Sequence, residues 1–168
     1  VWDILSRKER KVVVLGVPQT YPPSWVNGSL VGCFLAPGTD SNYTFPMPLK
    51  DEIKNVVGEY VIDVKDFRTD DKDALLARII DMTEKRFALA KHFIKNKQWD
   101  FFMMVEMGLD RMHHAFWKYM DCEHPKFVKG SKYGNAIFDY YRRLDAHIGD
   151  MVSMIDCDTT SVMVVSDH

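Results

Sequence analysis

The run Lys11-Val12-Val13-Val14-Leu15-Gly16-Val17-Pro18 constrains the fold more than any other stretch, because its apolar residues follow one another without a polar face before Gly16 and Pro18 end it. A strand of this kind is buried on both sides and sits centrally in a sheet covered by helices. Leu30 to Leu35 offers a second short apolar run, set between loop-forming stretches at Thr20 to Asn27 and Pro37 to Pro48. Tyr60-Val61-Ile62-Asp63-Val64 reads as another short strand.

Helices follow. From about Asp73 to Lys97, Leu76, Ile79, Ile80, Phe87, Ala90, Phe93 and Ile94 recur at the three-to-four spacing of a helix laid on a sheet. Trp99 to Met107 reads as the next strand, Gly108 breaks it, and Asp110 opens a helical stretch through Tyr119. Tyr133 to Asp156 repeats the amphipathic pattern through Ile137, Tyr140, Leu144, Ile148, Met151 and Ile155, and Ser161 to Ser166 reads as a last strand. Strands alternating with long helices imply an α/β fold, a mainly parallel sheet flanked by helices on both faces, with residues 1–168 forming a single domain. Ligands of such sheets bind beyond the carboxyl ends of the strands.

Charge and cysteine content narrow the function. A net charge of −2 with its signs interleaved forms neither a nucleic-acid stripe nor a basic membrane face, which argues against duplex binding. No apolar run approaches the roughly 20 residues that span a bilayer, and no signal-peptide pattern opens the chain, so a soluble piece is expected. Cys33, Cys122 and Cys157 are odd in number and without a CxxC pair, which speaks against a disulfide framework or thiolate zinc and for a reducing, cytoplasmic setting. The chain begins at Val1 and stops at His168 directly after Val162-Met163-Val164-Val165, and the expectation is that it is an internal part of a larger domain.

Two polar clusters fall at the expected carboxyl edge. Gly108-Leu109-Asp110-Arg111-Met112-His113-His114 follows one strand, and Asp167-His168 follows the other. Asp110 and His114 are four residues apart, so on a helix both project from one face toward a common point. Asp167 and His168 stand where a chain leaves the sheet and neighbours need no longer diverge, so both can reach one cation. Two Asp plus His pairs suit zinc, with Mn²⁺ less excluded than at a thiolate site. The plainer readings are an N-cap for Asp110 and packed or surface histidines for His113 and His114.

Trp2-Asp3-Ile4-Leu5, Val17-Pro18-Gln19-Thr20-Tyr21-Pro22-Pro23, Ser41-Asn42-Tyr43-Thr44-Phe45-Pro46, Asp110-Arg111-Met112-His113-His114-Ala115-Phe116-Trp117 and Val165-Ser166-Asp167-His168 together resemble the type I phosphodiesterase and nucleotide pyrophosphatase family of the alkaline phosphatase superfamily. The closest likeness is to its group of predicted phosphohydrolases or phosphomutases. The resemblance implies hydrolysis of phosphoester bonds by two divalent cations, zinc foremost, with Asp110 and His114 on one and Asp167 and His168 on the other. His113 matches no ligand position. The family's early metal-binding Asp, its Thr or Ser nucleophile and its last ligand His have no counterpart in this sequence, so no catalytic nucleophile is assigned, and the piece alone is expected to be inactive. The mechanism implied is in-line attack by a hydroxyl deprotonated on one metal, a covalent phospho-enzyme, and hydrolysis by metal-bound water.

The implied partner is a small phosphorylated substrate. Tyr21 and Trp25, in the loop Gln19 to Trp25, read first as core or loop packing, with stacking on a base or aromatic leaving group as the alternative. Two other functions stay open at this point. One is a phosphomutase of the same superfamily; the other is a catalytically incomplete fragment that binds metal weakly or only packs against partner segments. A sulfatase is disfavoured, because the cysteine motif that yields formylglycine is not present.

Overall fold

The computed structural model describes residues 1–166. In chain order these form α1 (Trp2–Arg7), β1 (Val12–Leu15), β2 (Gly28–Val31), β3 (Thr44–Phe45), α2 (Leu49–Val57), α3 (Lys72–Asn96), β4 (Phe101–Met104), α4 (Gly108–Met120) and α5 (Ala136–Ser153). The sheet runs β3-β2-β1-β4, with β1 parallel to both neighbours and β3 antiparallel to β2. The central place expected for the Val12–Leu15 run is thus observed, and none of its residues is more than 1% exposed.

Period-two alternation assigns the faces. Val13 and Leu15 pack with Val31, Phe102 and Met104 beneath Leu49 and Ile53 of α2 and Leu89, Ala90 and Phe93 of α3. Val12 and Val14 face the other way, with Leu30, Phe101 and Met103, and are covered by Trp2 and Leu5 of α1. A third cluster lies among helices: Ile79, Met82 and Phe87 of α3 meet Met112 and Phe116 of α4 and Ile137 and Leu144 of α5. Met104 and Met151 touch both the first and the third clusters, so the sheet core and the helical core are continuous. Helices therefore lie on both faces of a mainly parallel sheet, as the patterning implies.

Four local readings change. Tyr60 to Val64 is not a strand: Tyr60, Ile62 and Val64 are buried in alternation, but the segment joins no ladder, and the Ile62 carbonyl accepts from Arg86 Nη2 at 2.8 Å instead. Alternation specifies which side chains are buried, and here a helix side chain meets the backbone in place of a neighbouring strand. Ser161 to Ser166 is not a strand either, and Val162 to Val165 are 45–86% exposed, because propensity supplies no ladder partner. The stretch from Pro37 to Pro48 includes β3, which pairs Thr44 with Val31 and Phe45 with Leu30. Directly after it comes α2, which buries Leu49 and Ile53 one turn apart and was missed because it is short.

Carboxylates join the helices. Glu52 of α2 accepts from Lys97 Nζ at 2.7 Å and pairs with His92 Nε2 at 3.0 Å. Glu84 of α3 meets Arg143 Nη1 at 2.6 Å and His147 Nε2 at 3.2 Å on α5. Burial works against ionising both, but the bonds from Lys97 and His92, and from Arg143 and His147, outweigh it and hold both carboxyls below the ordinary glutamate range. A depressed folded pKa gives stability that is present above the unfolded value and is lost as pH falls through the folded one. Urea midpoints are therefore expected to drop as pH falls below the glutamate reference of about 4.3, and Glu52→Gln with Glu84→Gln should flatten that drop; an unchanged slope rejects the assignment. Phe93, fully buried on the sheet, is expected to cost about 3–5 kcal/mol as Phe93→Ala in urea unfolding, with a loss under about 1 kcal/mol excluding it from the core.

Candidate active site at the carboxyl edge

Because β1 and β4 are parallel neighbours, Gly16 and Val105 leave the sheet side by side. Arg86 reaches this edge from α3 while remaining only 1% exposed. Its Nη1 donates to the Val105 carbonyl and its Nη2 to the Ile62 carbonyl, each at 2.8 Å. The guanidinium occupies the place of a side chain at residue 16: Gly16 has φ +68°, and a Cβ there would stand 2.5 Å from Arg86 Nη1. Glycine is required on both counts.

Glu106 comes next along the chain. Its Oε1 accepts from Gly108 N at 2.5 Å, Tyr140 OH at 2.9 Å and Thr83 Oγ1 at 3.2 Å, joining the end of β4 to α4, α5 and α3. The Thr83 and Tyr140 hydroxyls also meet each other. Burial, followed by the charge of Glu106, pushes the Tyr140 phenol upward, so it remains a donor. A Cβ on Gly108 would collide with the Tyr140 hydroxyl and stand 2.5 Å from Glu106 Oε1. Among the described residues, Tyr60 OH, Arg86 Nε and Glu106 Oε2 are the buried side-chain atoms without a hydrogen-bond partner.

These contacts fix the start of α4 at Gly108, so Asp110 lies within the first turn instead of opening the helix, and Met107 takes the N-cap position. The N-cap reading of Asp110 is thereby corrected. Asp110 Oδ1 lies 3.4 Å from His114 Nε2, and Asp110 Oδ2 lies 2.7 Å from Arg111 Nη1. Arg111 in turn grips Asp63 as a fork, Nε to Oδ1 at 2.9 Å and Nη2 to Oδ2 at 2.5 Å. The bond to Asp63, against the effect of burial, raises the Arg111 pKa above its ordinary value. His114 is exposed and tilts against Phe67, with ring centroids 6.1 Å apart. Arg111 also lies 4.8 Å over the Phe67 ring.

The Asp110–His114 separation bears on metal binding. Two ligands on a tetrahedral zinc with bonds of about 2.0–2.2 Å stand about 3.4 Å apart, and the observed 3.4 Å matches that span. The pair fits two corners of a cation's shell. Among the described residues no group of three His, Cys, Asp or Glu side chains converges to complete one. Asp167 and His168 lie outside the described residues. His113 does not join His114: its Nε2 is 3.3 Å from Tyr141 OH and its ring meets Trp117 edge-on. Tyr21 packs against the sheet core, whereas Trp25 is 58% exposed.

Sequence reading missed Asp63, Thr83, Arg86, Glu106 and Tyr140. Glu106 carried a signal, since a carboxylate between a strand and a Gly-initiated helix sits at the ligand edge of an α/β sheet. The others sit in helix or strand patterns that mark burial and nothing more. Tyr140→Phe should leave Glu106 one donor short and cost about 1–3 kcal/mol in urea unfolding; an unchanged midpoint would show that the bond contributes nothing.

No match is found among curated proteins or among solved structures. The family profile described as type I phosphodiesterase / nucleotide pyrophosphatase matches residues 1–168. The chain belongs to the type I phosphodiesterase/nucleotide pyrophosphatase family, a family of enzymes that hydrolyse phosphoester bonds.

Proposed function

We propose that this chain carries part of a two-cation phosphoesterase site, with Asp110 and His114 as ligands of one cation and Asp167 and His168 as ligands of the other. The observation that carries the reading is the 3.4 Å approach of Asp110 Oδ1 to His114 Nε2 at the carboxyl edge of a sheet in a family of phosphoesterases. Carboxylate and imidazole donors suit zinc and tolerate Mn²⁺. Residues 1–168 act as one α/β unit of a larger catalytic domain, and the continuity of the sheet core with the helical core supports treating them together. The nucleophile, a Thr or Ser, and the remaining ligands come from segments outside these residues.

When bound, the two cations would neutralise charge on the phosphoryl group and activate the attacking hydroxyl. The chain's own residues prepare for this. Asp110 offers the oxygen nearest His114 while its other oxygen stays on Arg111. His114 is held one helical turn from Asp110 with its ring exposed, so a small phosphorylated substrate can approach it. Glu106 and Tyr140 hold the first turn of α4 in place and keep the helix start from shifting during turnover. The unpaired thiols, Cys33 buried and Cys122 and Cys157 exposed, support a reducing, cytoplasmic setting as part of the proposal. Among the described residues no helix is long and apolar enough to cross a membrane.

Elemental analysis should find zinc or manganese on the wild-type chain and less on Asp110→Ala, His114→Ala and Asp167→Ala. A polypeptide extended to include the upstream Asp and the Thr or Ser should hydrolyse bis-nitrophenyl phosphate in a metal-dependent way, and the present chain should not. Equal metal content in wild type and all three variants would reject the assignment of these ligands.

A further inference from the structure

Arg111 stands between two carboxylates and treats them differently. Asp63 receives two of its donors, Nε at 2.9 Å and Nη2 at 2.5 Å, and Asp110 receives only Nη1 at 2.7 Å. A guanidinium has a rigid fork that matches a carboxylate with both oxygens engaged. With Asp63 occupying that fork, Arg111 can hold only Asp110 Oδ2, and Asp110 Oδ1 is left facing His114 Nε2 at 3.4 Å. The three charges of Asp63, Arg111 and Asp110 sum to −1, so the group stays attractive to a cation although a guanidinium touches the ligand. Arg111 is well covered, its side chain 11% exposed, and that of Asp63 is 24% exposed, so solvent screens the arrangement incompletely.

We infer that Asp63 and Arg111 are positioning residues for the cation ligand Asp110: Arg111 fixes which carboxylate oxygen is presented, and Asp63 keeps Arg111 from capturing both. The inference rests on the reading of Asp110 and His114 as ligands. It assigns a site-directed role to Asp63 in the segment 58–71, which connects α2 to α3 and buries Tyr60, Ile62 and Val64. Hydrogen-bonded partners of metal-binding carboxylates change cation affinity by about 10–100-fold when removed. The two residues should act in opposite senses. Without Asp63, the guanidinium is uncompensated and free to engage Asp110 with its fork, so cation binding weakens. Removing Arg111 as well takes away the competing charge.

The test uses Co²⁺ as the probe on the 168-residue chain, followed by its visible absorption and by calorimetric titration, with Asp63→Asn, Arg111→Met and the double variant. Asp63→Asn is expected to lower Co²⁺ affinity about 10–100-fold, and adding Arg111→Met should recover much of that loss. A staple that only ties the connecting segment to α4 predicts the opposite, a double variant no better than Asp63→Asn, and that result overturns the inference. Asp110→Ala separates the two layers: if it leaves Co²⁺ uptake unchanged, or if the wild-type chain takes up none, the ligand reading fails. Failure of the ligand reading removes the cation from the inference, and what then remains, the positioning of Asp110 by Arg111 and Asp63, is decided by a readout that needs no metal, the ¹³Cγ shift and χ1 couplings of Asp110. A single Asp110 rotamer, unchanged in Asp63→Asn and in Arg111→Met while circular dichroism reports an intact fold, overturns it; averaged or altered rotamers uphold it.

Discussion

A guanidinium buried beneath the carboxyl edge of the sheet ties α3 to the end of β4 and to the irregular segment after α2, elements that also share apolar packing. An ionised group in so dry a place is costly unless its hydrogens are used. Arg86 spends both terminal nitrogens on backbone carbonyls, one at the end of β4 and one in the irregular segment that follows α2. Each carbonyl thereby gains a charged donor, so two of the guanidinium's nitrogens and the two chain segments satisfy one another, with Nε left unpaired among the described residues. The same group fills the space above β1 and thereby requires a glycine at residue 16.

The site depends on this junction by two routes. By the first, the Ile62 carbonyl is tied to Arg86, which sets the next residue, Asp63, toward α4, where Arg111 meets it. By the second, Glu106 gathers donors from Thr83, Tyr140 and the Gly108 amide, which fixes where α4 begins and hence which side chains its first turn presents. Asp110 receives its position from the second route and its orientation from the first. Both routes are built from polar groups in poor contact with water, where such bonds are strong and any unpaired member is expensive. A candidate ligand held this way loses little freedom when a cation arrives, which is the condition for a tight and selective site.

Family membership and local geometry supply different parts of the functional reading. The profile match establishes phosphoester chemistry for the family over the whole chain. It does not say which atoms of this chain act. The proposal for those atoms rests on the separation of Asp110 and His114, which matches the span between two ligands on one small cation, and on the chemistry of a carboxylate and an imidazole offered together.

The sequence by itself determined the elements whose signal is local. The unbroken apolar run of β1 required burial on both faces and a central place in the sheet. Three-to-four periodicity located α3 and α5, and the interval between Asp110 and His114 placed them on one helical face. Tertiary structure decided everything that needed a partner. Tyr60 to Val64 and Ser161 to Ser166 both carry strand-like patterns, yet the first is bonded by a helix arginine and the second joins no ladder among the described residues. The fork from Arg111 to Asp63 closes over 48 positions and the contact of Thr83 with Tyr140 over 57. Periodicity reports which face of an element is apolar and carries no information about which distant polar group will come to lie against it. The candidate pair Asp110 and His114 was therefore legible as a spacing, whereas the polar groups that contact and support it emerged only once the chain had folded.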